Sequence, residues 1–294
     1  MRIFITGGSG LMGSKAAEIA LAEGHEVFSG FAHSEPEFGK PTRFYLEDFK
    51  GISDLVEKLK PDVVIHSAAL TDVDRCEREK DLACRMNVEG TRALAQAAEK
   101  ARSFLIYIST DYVFDGKRGR YREDDRTDPV NYYGYTKLLG EQFCTGCIAR
   151  TSVIYGSRPA SGKVNFALWL INSLKSGKQV QVVTDQFITP TLNTNLAKMI
   201  LEVAERRLSG VYHLAGATRI SRYDHALELA REFDLDTSLI IPSKMEDLKW
   251  AAKRPIDSSL ETSKARAELR EKPSPLKEAL GNLKAEVLSR DFRS

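Results

Sequence analysis

Among the ten tyrosines of the chain, only Tyr133 is followed by a lysine four residues later, in Tyr133-Gly-Tyr-Thr-Lys137. On a helix, residues at that spacing share a face, so a phenol and an ammonium can serve one bound molecule. A free phenol, with a pKa near ~10, is a poor proton donor and acceptor at neutral pH. An adjacent ammonium favours phenolate and lowers that value, and the same lysine has the reach to hold a ribose. A second group lies in Ile108-Ser-Thr-Asp-Tyr-Val-Phe-Asp-Gly116, directly after the most apolar segment of the chain. There the hydroxyl of Ser109 or of Thr110 can donate to a carbonyl oxygen that the tyrosine protonates. Taken alone, the Tyr–Lys pair would read as a surface pair on an amphipathic helix, and the hydroxyls as caps of a loop. A third feature changes that balance.

Gly7, Gly10 and Gly13 fall in Thr6-Gly-Gly-Ser-Gly-Leu-Met-Gly13, between an apolar strand (Arg2 to Thr6) and a helix. Leu11, Ala16, Ile19, Ala20 and Ala22 stripe that helix, and Gly24 stops it. Such a turn leaves backbone N–H groups free at a positive helix end, where a pyrophosphate fits. The turn assigns Gly7, Ser9, Gly10, Leu11, Met12 and Gly13 to a dinucleotide. An acid at the end of the second strand would hold the ribose diol of NAD and repel a 2′-phosphate. This chain has Ser29-Gly-Phe-Ala-His-Ser34 there, with no acid before Glu35 and no arginine. Phe31 and His33 join the cofactor set, NADP(H) is favoured, and NAD(H) is admitted.

The elements that must position these groups alternate. After the first strand and helix come a strand at 26–29 and an irregular segment with Pro36 and Pro41. A strand at 44–46 and a helix at 52–59 follow. Next are a strand at 62–66, a long helix carrying Leu82, Met86, Val88, Leu94, Ala97 and Ala101, and a strand at 104–108. That rhythm predicts a parallel sheet covered by helices on both faces, with ligands beyond the carboxyl ends of its strands. The expected class is α/β, a Rossmann-like doubly wound parallel sheet with a smaller C-terminal substrate lobe. Residues 1–155 would form the dinucleotide-binding domain, joined by strands and helices from 190–240. Residues 156–294 would form the closely joined lobe, with helices at 166–174, 196–204, 221–233 and 275–287 and strands at 180–183 and 211–214.

Bulk properties exclude more than they identify. Lys and Arg number 43 against 41 Asp and Glu, which gives no reason to expect a nucleic-acid partner. No apolar run approaches the roughly 18 residues of a membrane span. The first residues read as a strand rather than a signal peptide. Cys144-Thr-Gly-Cys147 has the spacing of a redox pair or half a zinc site, but no second pair matches it. The five histidines are scattered. No metal is expected, the cysteines read as ordinary reduced thiols, and a cytoplasmic location follows.

The G-x-x-G-x-x-G spacing and the Tyr-x-x-x-Lys pair resemble the extended short-chain dehydrogenase/reductases, and among them the dTDP-4-dehydrorhamnose reductases. Further pieces carry the resemblance: His66-Ser-Ala-Ala-Leu-Thr-Asp-Val-Asp74, Asn87-Val-Glu-Gly-Thr91, Ser109-Thr-Asp-Tyr-Val-Phe114, Asp185-Gln-Phe187, Thr189-Pro-Thr191 and Arg254-Pro255. The resemblance implies that Thr110, rather than Ser109, works with Tyr133 and Lys137. It implies that Asp48 and Phe49 lie near the adenine, and Ala68, Ala69 and Thr71 along the cofactor. Val73 and Tyr112 would face the sugar. Two departures stand out: Val153 replaces a customary Trp, and Asp257 a customary Asn. Val153 would therefore line a roomier sugar site. The implied activity is NAD(P)H-dependent reduction of a 4-keto sugar nucleotide, with a homodimer admitted. A sugar-nucleotide epimerase or dehydratase is the rival on the same scaffold, although Asp111 supplies only one of the acids a dehydratase uses. Ser29-Gly-Phe31 and Tyr121-Arg-Glu123 are also similar to the regulatory beta subunit of methionine adenosyltransferase, which would bind a dinucleotide without turnover.

Overall fold

The computed structural model describes residues 1–160 and 164–291; residues 161–163 and 292–294 of the expected C-terminal lobe lie outside the described residues. The first half runs β1 (Arg2–Thr6), α1 (Leu11–Ala22), β2 (Glu26–Phe31), β3 (Lys40–Arg43), α2 (Phe49–Leu59), β4 (Val63–His66), α3 (Val73–Arg78), α4 (Lys80–Cys84), α5 (Gly90–Lys100), β5 (Phe104–Thr110), α6 (Tyr132–Glu141) and β6 (Cys147–Thr151). The second half runs β7 (Ile154–Tyr155), α7 (Phe166–Lys175), β8 (Val180–Val183), β9 (Phe187–Ile188), β10 (Thr191–Leu192), α8 (Asn193–Arg206), β11 (Gly210–His213), β12 (Ile220–Ser221), α9 (Arg222–Glu232), β13 (Ile240–Ser243), α10 (Ser263–Glu268) and α11 (Leu276–Asp291).

Seven strands make one sheet in the order β11-β6-β5-β4-β1-β2-β3, every neighbouring pair parallel. The period of two along a strand divides its side chains between two cores. Ile3 and Ile5 pack with Ala16, Ala17 and Ala20 of α1 and Leu196, Ala197 and Ile200 of α8. Phe4 points the other way, to Ile52 and Val56 of α2 and Leu94 and Ala98 of α5. Both faces are covered, so Ile3-Phe-Ile5 of β1 and Val63-Val-Ile65 of β4 are apolar without interruption, as the middle of a buried parallel strand must be. A separate apolar cluster joins α7, α9, α11, β8 and β13 through Leu170, Leu174, Val180, Leu229, Ile240 and Leu283. The chain returns from this cluster to the main sheet, supplying α8 to one face and β11 to one edge.

Most of the expected elements form within a few residues of their predicted bounds. Two differ in kind. The strand expected at 44–46 lies instead at Lys40–Arg43, within the stretch read as irregular. Pro41 is tolerated because β3 is an edge strand, where a missing N–H interrupts no second ladder. Phe44 and Leu46 are buried just beyond it, Phe44 edge-on to Phe4 with ring centroids 5.6 Å apart. The single long helix across 82–101 is α4, a π-helical turn at Arg85–Glu89, and α5. A β-carbon at Gly90, where the turn ends, would stand 2.5 Å from the Leu46 carbonyl oxygen.

Candidate active site

Helix α6 begins where Asn131 accepts a hydrogen bond from the Gly134 amide at 2.9 Å, while its Nδ2 donates to the Lys253 carbonyl at 2.9 Å. One side chain thus sets both the start of α6 and its link to a segment more than a hundred residues away. A β-carbon at Gly134 would lie 2.1 Å from the Tyr112 carbonyl oxygen, so α6 approaches the loop after β5 as only glycine allows. This docking puts Tyr133 and Lys137 over the carboxyl end of β5. The rings of Tyr112 and Tyr133 meet edge to face at 6.1 Å. Lys137 is buried, its Nζ 4.1 Å from the centroid of the Tyr107 ring.

Electrostatics here differ from the expectation that Lys137 lowers the pKa of Tyr133. Burial pushes the Tyr133 phenol well above its ordinary value; a hydrogen bond with Thr110 partly offsets this, and the charge of Asp111 adds to it. Lys137 is itself brought down to about 7, because burial penalises its ammonium more than Glu141, one turn further along α6, restores it. The reason is desolvation: two groups taken out of water each favour the neutral form before either can charge the other.

Thr110 and Ser109 separate clearly. Ser109 donates to Glu141 Oε1 at 2.5 Å, and Glu141 is gripped by Arg150 at 2.9 and 2.7 Å, a buried ion pair beneath the site. Thr110 ends β5, donates to Asp111 Oδ1 at 3.1 Å and accepts from the Tyr112 amide at 3.2 Å. Asp111 is buried and also accepts from Ser152 at 2.9 Å and from Ser258 at 2.5 Å. Burial raises its pKa, and the three hydroxyls draw it back. Asp111 was weighed from the sequence only as one acid of a dehydratase pair; its hydroxyl partners Ser152 and Ser258 stand 41 and 147 residues away. A hydroxyl has one proton, so Thr110 gives it either to Asp111 Oδ1 or to the Tyr133 oxygen, and only the second bond favours the phenolate.

The glycine turn forms as expected. Gly7 has φ +69° and its carbonyl accepts from the Gly10 amide at 2.9 Å. A β-carbon at Gly13 would sit 2.3 Å from the Gly7 carbonyl oxygen, whereas one at Gly10 would sit at 3.0 Å. Among the described residues no side chain caps α1, which leaves its first-turn amides open to an anion. Ser9 and Leu11 are half-buried; Met12 points into the core, so only its backbone can serve a ligand. The floor continues through β4: Ser67 donates to the Thr6 carbonyl at 2.6 Å, and a β-carbon at Gly7 would lie 3.0 Å from the Ala68 amide nitrogen. Ala68 and Ala69 are half-buried and Thr71 is exposed. Beneath them His66 bonds Thr6 at 2.8 Å and Thr91 at 3.0 Å, held neutral by burial with its pKa lowered to about 3. At the far end Asp48 caps α2 by accepting from Gly51 at 2.9 Å, Phe49 is exposed, Phe31 is buried, and His33 is exposed. The run 29–34 holds no arginine; on the neighbouring strand, Arg43 of β3 lies over the Phe31 ring.

The opposite wall comes from the second half. Gln186 donates to the Tyr112 hydroxyl at 3.3 Å and accepts from Arg222 at 3.2 Å. Arg254 clasps Asp74 through two bonds, at 3.0 and 2.9 Å, beside half-buried Val73 at the start of α3. Asp257 pairs with Arg219, whose guanidinium lies 4.0 Å from the Phe187 ring centroid. Val153 takes φ +39°, a left-handed conformation that a β-branched residue rarely adopts. The cysteines are free, Cys144 donating to backbone carbonyls of Leu105 and Cys147. Among the described residues, Glu23, His25 and Glu205 bring possible metal ligands within 4.8 Å of one another. They gather near the amino end of β2, across the sheet from the site.

Comparison with known proteins identifies the family and the fold. Residues 1–289 match the family model described as "RmlD substrate binding domain". The chain is 33% identical to the "Probable low-salt glycan biosynthesis reductase Agl14" of Haloferax volcanii, over 97% of this chain and 98% of that one. It is 31% identical to "Methionine adenosyltransferase 2 subunit beta" of Xenopus tropicalis, over 90% and 81% of the two chains. The fold superimposes on the crystal structure of dTDP-4-dehydrorhamnose reductase from Bacillus anthracis in complex with NADP, with a TM-score of 0.87, 30% identity, and coverage of 97% and 99%. A glycine turn at the first strand, a Thr–Tyr–Lys set at the fifth and a match along almost the whole length lead to one conclusion: the chain belongs to the RmlD substrate binding domain family.

Proposed function

We propose that this protein is an NADPH-dependent reductase of a 4-keto sugar nucleotide, dTDP-4-dehydrorhamnose being the substrate that its relatives favour. The observation that carries the reading is the meeting of Thr110, Tyr133 and Lys137 beside an uncapped glycine turn, at the carboxyl ends of β1, β4 and β5. The turn fits a dinucleotide on its own geometry, since any β-carbon at Gly13 would close the cradle against the Gly7 carbonyl. Gly7, Ser9, Gly10, Leu11, Met12 and Gly13 would hold the pyrophosphate, Asp48 and Phe49 the adenine, and Ala68, Ala69, Thr71 and Lys137 the rest. NADPH, when bound, supplies hydride. Tyr133 donates the proton to the carbonyl oxygen through its phenol, with Thr110 as its hydrogen-bond partner. Residues 1–155 would form the dinucleotide domain with additions from 190–240. Residues 156–294 would supply the sugar lobe, and Val73, Tyr112 and Val153 would line its seat. Four free thiols favour a cytoplasmic setting, and no helix of the described residues is long and apolar enough to cross a membrane.

The test is NADPH oxidation against a panel of 4-keto sugar nucleotides; turnover of dTDP-4-dehydrorhamnose is expected. The similarity to a methionine adenosyltransferase beta subunit favours one second reading, a regulatory subunit. NADPH binding without turnover on the panel, together with stimulation of a methionine adenosyltransferase, would establish that reading instead.

A further inference from the structure

The loop after β2 brings no cation to the adenosine end of the proposed cofactor site. A cation reaches it from the side. β3 runs parallel to β2 in a register that sets Arg43 opposite Phe31. The guanidinium carbon lies 4.5 Å from the Phe31 ring centroid, and Nη1 donates to the Ala32 carbonyl at 2.9 Å. Stacking and one hydrogen bond therefore hold an exposed arginine in a defined place. A guanidinium has five N–H donors, and the carbonyl uses one of them.

Two further features say what the others can take. Among the described residues no carboxylate forms an ion pair with Arg43, while the nearby loop acid Glu37 is drawn to Arg158 instead. The position also matches a ribose. The glycine turn rests on β2, the Gly8 amide donating to the Gly30 carbonyl at 2.8 Å. Beyond β3 stand Asp48 and exposed Phe49 at the start of α2. Arg43 belongs to the strand beside β2, on which the turn that would take the pyrophosphate rests, and it precedes by five residues Asp48, where the adenine would sit. The adenosine ribose joins those two parts of the ligand.

We propose that Arg43, stacked on Phe31, binds the 2′-phosphate of NADPH and so sets the preference for NADPH over NADH. The assignment rests on the dinucleotide reading above and deepens it. A planar, permanently charged fork suits a phosphate, and the aromatic platform fixes its orientation in advance. Phe31 therefore acts as a positioning residue.

Binding of NADPH, NADH, 2′,5′-ADP and 5′-AMP to wild type, Arg43→Ala, Arg43→Lys and Phe31→Leu would be measured by calorimetry. Loss of a charge-assisted contact predicts that Arg43→Ala weakens NADPH and 2′,5′-ADP about 10- to 100-fold. NADH and 5′-AMP should stay within about threefold, and Arg43→Lys should recover part of the loss, because a point charge replaces the fork. Phe31→Leu should reduce NADPH affinity more than NADH affinity. Unchanged NADPH affinity in Arg43→Ala, or an equal loss for NADPH and NADH, would overturn the assignment. Wild type that binds none of the four ligands would overturn the dinucleotide site, and the assignment with it.

Discussion

Of the three proposed catalytic residues, Tyr133 carries the phenol, which is hydrogen-bonded with Thr110 and meets the Tyr112 ring edge to face. Replacing it with Phe keeps the ring against Tyr112 and removes the hydroxyl alone. Turnover should fall roughly 10²- to 10⁴-fold, with NADPH affinity within a few-fold of wild type. Steady-state rates with a separate binding measurement check this, and a rate within tenfold of wild type would reject Tyr133 as the acid. Lys137 calls for a different experiment. Its ordinary value of 10.5 is brought to about 7 by burial. Between those pH values the unfolded chain carries a proton that the folded chain lacks. Stability from this group therefore rises with pH across that window and is least below pH 7. Lys137→Met should raise the melting temperature of the ligand-free protein at pH 6–7, an advantage that fades toward pH 10. The increase in melting temperature on adding NADPH should shrink. A mutant that melts lower than wild type at pH 6.5 would refute the cost assigned to the buried ammonium.

Elements divide into those the chain announces locally and those it assembles at a distance. The Tyr–Lys pair was legible because four residues make one helical turn, and the glycine turn because its strand, turn and helix are contiguous. The cage around Asp111 was not, since Ser152 and Ser258 build it from distant segments. Neither was the Asp74–Arg254 clasp, which spans 180 residues. Arg43 was invisible for a related reason: it belongs to the next strand, and only the β2–β3 register puts it opposite Phe31. The apolar run at 44–46 misled because it is buried beyond the strand rather than within it. The turn at residues 7–13 also yields a graded test. Gly13→Ala forces a β-carbon to 2.3 Å from the Gly7 carbonyl, and Gly10→Ala only to 3.0 Å. Gly13→Ala should cost about 1–3 kcal/mol of stability and abolish dinucleotide binding. Gly10→Ala should fold nearly as well and lose mainly affinity. Denaturant unfolding and calorimetry separate the two, and equal stability of both mutants would contradict the packing described.

Across the whole molecule, three buried histidines share one fate. His66, His213 and His225 each have a pKa lowered to about 3, from an ordinary value of 6.5, chiefly because burial penalises the charged ring. Each folded ring stays neutral where its unfolded counterpart takes a proton, so stability drops as pH falls from about 6.5 toward 3. Near pH 5 their combined share of the slope of unfolding free energy against pH should approach three protons. Among the described residues His225 has no hydrogen-bond partner on either ring nitrogen, and it sits among Tyr155 and Phe166. His225→Phe should therefore reduce the slope by about one proton with little loss at pH 8; an unchanged slope would show that the ring is solvated. The two margins of the main sheet carry a last consequence, for how copies of the chain can meet. At one margin β3 reads Lys40-Pro41-Thr42-Arg43, with Lys40 tied to Glu26 and a proline that cannot donate to an added strand. At the other, Lys264 donates to the Val211 carbonyl at 2.8 Å, and the His213 amide donates to Glu123 at 3.0 Å. Side chains already occupy hydrogen-bonding groups that an incoming strand would need. The main sheet is thereby shielded from lengthening across neighbouring molecules, and a homodimer that joined its margins would first have to break these bonds.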